Sequence, residues 1–215
     1  MSACRRGNET TASHLVDARR EVIDGGLVAV MGDTGVTMCR RLFVAKDEHR
    51  FSCAHMTLFP DGTKERIHGH NYHVGVAIRW DVEARDREAG DVEAQDLEAG
   101  FVDLSLLKSA VEALCSQLRE HLLMPSKSEK VAVVLRDELS TEMLVCGKRY
   151  VIPTDEVLWL PVENIVVEEL AEYLWGRLDA DLGATLVDAR VSAMEVVVTE
   201  ASGQGASYAS SPGGR

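Results

Sequence analysis

The stretch HGHNYHV, residues 68–74, constrains this chain more than any other feature. Strand-forming residues follow the histidines at once, and in a β-strand successive side chains alternate between faces. His68 and His70 therefore project to one side, and Gly69 keeps the backbone between them slim. Tyr72 and Val74 continue that face, whereas Asn71 and His73 take the other. Two imidazoles on one face make half of a metal site, so a third ligand has to come from elsewhere. FSCAHM, residues 51–56, lies on the preceding predicted strand and offers His55. An antiparallel neighbour can bring that imidazole beside the pair, giving three nitrogen donors and an open fourth position, the arrangement of a catalytic zinc.

The chain has 215 residues, enough for one domain with a full core and some insertions. Its 46% hydrophobic and 27% charged residues are ordinary globular values. A formal charge of −12 argues against nucleic acid and anionic membrane as partners, since both would be repelled. No secretory pattern opens the sequence and no apolar run approaches the roughly 18–20 residues of a membrane span, so a soluble, cytoplasmic protein is expected. Five scattered cysteines without a CxxC spacing signal neither a disulfide framework nor a thiolate zinc site, which fits a reducing compartment.

Along the chain, residues 1–36 read as a partly disordered N-terminal extension containing a short amphipathic helix (HLVDARREVI) and a plain turn (GDTGV). Residues 37–57 read as a strand with an irregular point near KDEH, and HNYHVGVAIRW as the next strand. Residues 81–100 form a ten-residue acidic near-duplicate, DVEARDREAG then DVEAQDLEAG, expected to be a solvated insertion at a hairpin tip. Helices are predicted over 104–123 and 164–182, a hairpin from KVAVVL and LVCGKRYVI lies within an insertion at 126–158, and RVSAMEVVVTE is the last strand, ahead of a flexible tail at 209–215. Helices grouped between strand pairs imply an α+β fold with an antiparallel sheet.

FSCAHM, HGHNYHVGV, FVDLSLLK, EHLLMP, PVENI and VVVTEASGQGASY, in this order over residues 37–208, resemble the 6-pyruvoyl tetrahydropterin synthases and their relatives, the 6-carboxytetrahydropterin synthases of the queuosine pathway. The resemblance implies a tunnelling fold: a four-stranded antiparallel sheet with two helices on one face, oligomerising into a β-barrel as a trimer or hexamer. It implies zinc held by His55, His68 and His70, a pterin ring gripped by Glu200, and 7,8-dihydroneopterin triphosphate as substrate. A carboxylate suits the ring because it accepts two parallel hydrogen bonds from the amino and N–H groups. Asp103 and Glu163 match recurring acidic positions of the family, and Asp103 reads as a helix N-terminal carboxylate.

The pattern also breaks. The family places a catalytic cysteine four residues before the first histidine of HGH, and here that position is Lys64. Glu65, one residue on, is either its replacement or a solvated loop charge; Cys53, sharing a strand face with His55, is either a shuttle or a small buried hydrophobe. Lys64 and Arg66 either pair with the triphosphate or lie exposed. The family's Asp-His pair survives only as His121, with Glu120 before it, and His121 is the general acid/base candidate because imidazole titrates near neutrality. Pro161 stands where a threonine is usual. The expected function is a zinc-dependent lyase forming a 6-pyruvoyl- or 6-carboxy-tetrahydropterin. Its rivals are retro-aldol cleavage to a 6-hydroxymethylpterin and a catalytically inactive zinc- and pterin-binding scaffold.

The acidic duplication offers little core material. Deleting one ten-residue copy is expected to leave zinc content and oligomeric state intact, checked by metal analysis and sedimentation.

Overall fold

The computed structural model describes residues 23–24, 27–32, 35–82, 101–201 and 203–214. In chain order the elements are β1 (Ile23–Asp24), β2 (Leu27–Gly32), β3 (Gly35–His55), β4 (His68–Val82), α1 (Leu104–Leu118), β5 (Leu122–Pro125), β6 (Val131–Arg136), β7 (Ser140–Val145), β8 (Lys148–Pro153), β9 (Val157–Leu160), α2 (Val167–Asp188), β10 (Ala193–Ala201) and β11 (Gln204–Ser210). The helix expected over HLVDARREVI lies outside the described residues except for Ile23, as does the acidic duplication beyond Val82.

The main sheet runs β1-β2-β3-β4-β10-β11, all antiparallel. β5 and β9 are added in parallel beside the C-terminal end of β3. The sheet thus has eight strands, not the four expected. The three strands predicted individually are its β3, β4 and β10, and β11 pairs with β10 through a tight hairpin. β3 is 21 residues long, and on the edge away from β4 it is covered by β2 over Gly35–Arg40 and by β5 at Ala54, pairing ladder groups that would otherwise stay open. The irregular point expected near KDEH is a register shift between Ala45 and Arg50.

Both helices pack on one sheet face through alternate strand residues Tyr72, Val74, Val76 and Ile78 of β4 and Met194, Val196 and Val198 of β10. α1 buries Leu107, Val111, Leu114, Cys115 and Leu118, an apolar stripe at helical spacing. Asp103 caps it, its carboxylate accepting from the Ser105 N–H at 2.8 Å. The helix stops at Leu118, short of the expected 123, because the apolar run that follows leaves through Glu120 (φ 60°) and becomes β5. α2 begins three residues later than expected and continues to Asp188. Within it Gly183 makes room for the chain's end, since a Cβ there would stand 2.7 Å from Asp179 Oδ1. That carboxylate accepts from the Gly213 N–H at 2.7 Å, and Pro212 is buried, so the segment read as a flexible tail is fastened to α2.

The insertion at 126–158 is a separate three-stranded sheet, β6-β7-β8, not a two-stranded hairpin. The turn that escaped the sequence reading is Cys146-Gly147, both with positive φ (48° and 73°), the geometry that a two-residue hairpin loop requires. Met143, Val145, Tyr150 and Ile152 of this sheet pack with Met56 and Leu58, just beyond the end of β3.

Trp175 is the largest side chain in the core, and its indole N–H donates to the Met194 carbonyl at 2.8 Å, locking α2 to β10. Trp175→Ala is expected to lower unfolding stability by about 3–5 kcal/mol, measured by urea denaturation.

Candidate metal centre and active site

β3 and β4 pair so that His55 stands opposite His68 and Cys53 opposite His70. Opposed residues of an antiparallel pair share a face, so all three imidazoles converge. Their ring centroids are 4.6, 4.9 and 5.3 Å apart, and one ligand nitrogen from each lies within 4.8 Å of the others. His55 is buried, and His68 and His70 are half-buried.

Two of the rings are held by backbone carbonyls. His55 Nδ1 lies 3.0 Å from the Ile165 carbonyl, and His68 Nδ1 lies 2.8 Å from the Arg66 carbonyl. A carbonyl only accepts, so each Nδ1 carries the proton and each Nε2 keeps a lone pair for a metal. Burial, with the neighbouring His68 and His70, pushes the His55 pKa below its ordinary value, which favours the neutral, ligating form. The Tyr72 hydroxyl sits 3.1 Å from His55 Nε2, and burial raises its pKa, so it stays a protonated donor. Three imidazoles converging on one face, two of them oriented through Nδ1, fit a divalent metal such as zinc.

Glu65 is beside this cluster, its Oε2 3.8 Å from His68 Nε2. Its N–H donates to the Thr57 carbonyl at 3.0 Å, and the Thr57 side chain hydrogen-bonds its carboxyl, holding the pKa below the usual value. Cys53 is buried in the apolar layer with Phe51 and Tyr72, and desolvation pushes its thiol up to about 12. A thiol so raised is a poor nucleophile or proton shuttle at neutral pH.

Cys53, His70, Glu120 and His121 line one cavity of about 580 Å³, with Ile152 and Glu156 contributed from the insertion. His121 is fixed by its Nδ1–H donating to the Arg119 carbonyl at 2.7 Å, so that carbonyl, not the Glu120 carboxylate, orients the ring. Glu120 is anchored through its backbone, its N–H donating to the Ser52 carbonyl at 2.7 Å. Glu200, at the end of β10, accepts from Gln204 Nε2, and its charge joins that of Glu65 in acting on Tyr72. Glu163 is exposed ahead of α2, where its N–H donates to Glu169 Oε2 at 2.7 Å, and no hydrogen bond or ion pair ties its carboxylate to the imidazoles.

Sequence reasoning missed Asn164. Its Oδ1 accepts from the Leu58 N–H at 3.0 Å and its Nδ2 donates to the Leu58 carbonyl at 2.9 Å, so one amide side chain pins the strand exit that leads toward Glu65. The only sequence signal was its place in PVENI, directly before Ile165.

An α+β chain with a three-imidazole cluster able to hold a metal and an adjacent carboxylate is the class that this fold and site define. Residues 44–211 match the model of the 6-pyruvoyl tetrahydropterin synthase family, and the chain belongs to that family. It is 34% identical over 159 residues to a Methanocaldococcus jannaschii protein provisionally named 6-carboxy-5,6,7,8-tetrahydropterin synthase, covering 74% of this chain and 88% of that one. A Plasmodium vivax 6-pyruvoyltetrahydropterin synthase superposes with a TM-score of 0.66 at 26% identity, covering 80% of this chain and 98% of that one. A variant of the P. vivax enzyme whose catalytic glutamate is replaced by alanine superposes equally, at 25% identity and the same coverage. The Plasmodium falciparum synthase gives 0.68 at 23% identity, again with 80% and 98% covered, a likeness of fold. Among the described residues no helix is long and apolar enough to cross a membrane.

His55→Ala, His68→Ala and His70→Ala are each expected to reduce zinc binding more severely than the roughly 10–100-fold that loss of an outer-shell partner costs. Asn164→Ala is expected to fall within that smaller range. Competition titration against a chromophoric chelator reads both.

Proposed function

We propose that the chain is a zinc-dependent lyase acting on 7,8-dihydroneopterin triphosphate or a close relative, with Glu65 as its base. The observation that carries this reading is the Glu65 carboxylate 3.8 Å from a ligand nitrogen of the His55–His68–His70 cluster, while the rival Cys53 thiol is buried and raised to about 12. The catalytic glutamate of the P. vivax synthase supports it. Zinc held by the three imidazoles would supply Lewis acidity toward the substrate's side-chain oxygens.

The protein's own groups do the rest. Glu65 Oε2 takes a proton from the substrate side chain beside the metal. His121, whose Nδ1–H is committed to the Arg119 carbonyl, leaves Nε2 as the second proton-transfer group, with Glu120 in the same cavity. Glu200 accepts hydrogen bonds from the pterin amino and N–H groups, with Gln204 steadying its carboxylate, and Glu163 borders the ring. The protein works in the cytoplasm as a homo-oligomer, trimer or hexamer. Phe43, 71% exposed on the sheet face opposite the helices, supports assembly.

A second reading has a specific observation behind it. The Glu65 carboxylate beside the imidazoles, with no cysteine at residue 64, also suits retro-aldol cleavage: the second side-chain hydroxyl loses its proton and becomes the departing aldehyde, the carbon–carbon bond breaks, and the ring-side carbon takes a proton to leave a 6-hydroxymethylpterin.

Incubating the zinc-loaded protein with 7,8-dihydroneopterin triphosphate separates the possibilities. Free triphosphate alone marks a 6-pyruvoyl product, triphosphate with acetaldehyde marks a 6-carboxy product, and a two-carbon aldehyde still bearing the triphosphate marks retro-aldol cleavage. Tight pterin binding without turnover would leave a scaffold. Glu65→Gln is expected to lower kcat at least about 100-fold with pterin binding retained. Cys53→Ser is expected to keep most activity, and the reverse pattern would move the role to Cys53.

A further inference from the structure

Lys64 occupies the place where the family pattern has a cysteine, yet its ammonium turns away from the imidazole cluster. Nζ lies 4.9 Å from the centre of the Tyr150 ring, on β8 of the inserted sheet, and donates to the Glu65 carbonyl at 2.8 Å. The cation is thus engaged with a π face and a peptide oxygen, so it is not a free partner for a triphosphate.

The two bonds join the insertion to the site by a short route. Lys64 holds the carbonyl of Glu65, and the next carbonyl along, that of Arg66, orients His68 through Nδ1 at 2.8 Å. The rest of the segment is fastened on the same side. Lys64 bridges Leu58, whose backbone Asn164 grips from both ends, and Cys146 Sγ lies 3.6 Å from the Thr63 carbonyl. Beneath it Met56 and Leu58 share one apolar cluster with Met143, Val145, Tyr150 and Ile152 of β7 and β8. A carboxylate on a loop loses catalytic value if its backbone wanders, because misplacement by an ångström is costly.

We propose that Lys64 and Tyr150 are positioning residues through which the β6–β8 sheet sets the Glu65 carboxylate against the imidazole cluster. The proposal rests on the reading of Glu65 as the base. It makes the insertion a brace for the active-site loop and explains how a lysine is accommodated in the cysteine's place.

The test compares Tyr150→Ala, Tyr150→Phe and Lys64→Met in the zinc-loaded full chain. Tyr150→Phe keeps the π face and is expected to behave as the native protein. Tyr150→Ala and Lys64→Met are expected to lower kcat about three- to tenfold, with KM and zinc content unchanged, matching the usual strength of a cation–π contact. Amide hydrogen exchange over residues 57–66 should rise in the same two variants and not in Tyr150→Phe. Should Tyr150→Ala unfold the insertion, Lys64→Met carries the comparison alone. Native exchange and native kcat in Lys64→Met would overturn the proposal. Faster exchange with full turnover would overturn it too, and Glu65→Gln then tells why: if that variant is also active, the base reading has failed, and if it is dead, only the positioning role has.

Discussion

The antiparallel pairing of β3 with β4 is the interaction on which the rest depends. It sets His55 across from His68, supplies two central strands of the sheet and offers the helices the face on which they pack. The three histidines are therefore held by ladder hydrogen bonds and not by a loop. The carboxylate beside them, by contrast, sits in the connection between those strands and relies on contacts from outside the ladder. A histidine cluster held by a ladder beside a carboxylate held by a loop is an arrangement in which the loop can vary in sequence while the cluster stays fixed.

The convergence of His55, His68 and His70 was legible because strand parity is a strong local rule, and Tyr72 followed from the same rule. Asp103 as a helix cap was legible for a similar reason, since its role is settled within two residues. Elements settled by distant partners were not. The run after Leu118 looks helical by spacing, but its apolar residues find β9 and the end of β3, and that pairing overrides the local preference. The middle strand of the insertion was hidden by a turn with cysteine in a left-handed conformation, a position normally signalled by Asn, Asp or Gly. Asn164 could not be singled out either, because what it holds lies 106 residues earlier in the chain.

The candidate site was half legible for the same reason. Glu65 and Cys53 are equivalent as residue types near a metal, and only burial separates them: one carboxylate is half-exposed next to His68, and one thiol is enclosed among Phe51 and Tyr72. Burial is a sum over contacts from elsewhere in the fold, none of which the local sequence displays. Glu120 illustrates the opposite error. Adjacency suggested a partner for His121, whereas the turn at φ 60° gives that task to a carbonyl.

The register shift in β3 has a consequence for what the chain can tolerate. Between the pairs Ala45–Gly75 and Arg50–His73, β3 advances five residues while β4 advances two. The surplus of three is odd, so inside and outside exchange at that point: Leu42 and Val44 look toward the helices before it, and Phe51, Cys53 and His55 do so after it. An uninterrupted strand would have turned Ala54 inward and left His55 on the wrong side of the sheet. The KDEH segment therefore works as a frame-setting device. Its length can drift only in steps of two without dismantling the histidine cluster, a counting rule imposed by the pleat on a stretch that supplies none of the three imidazoles.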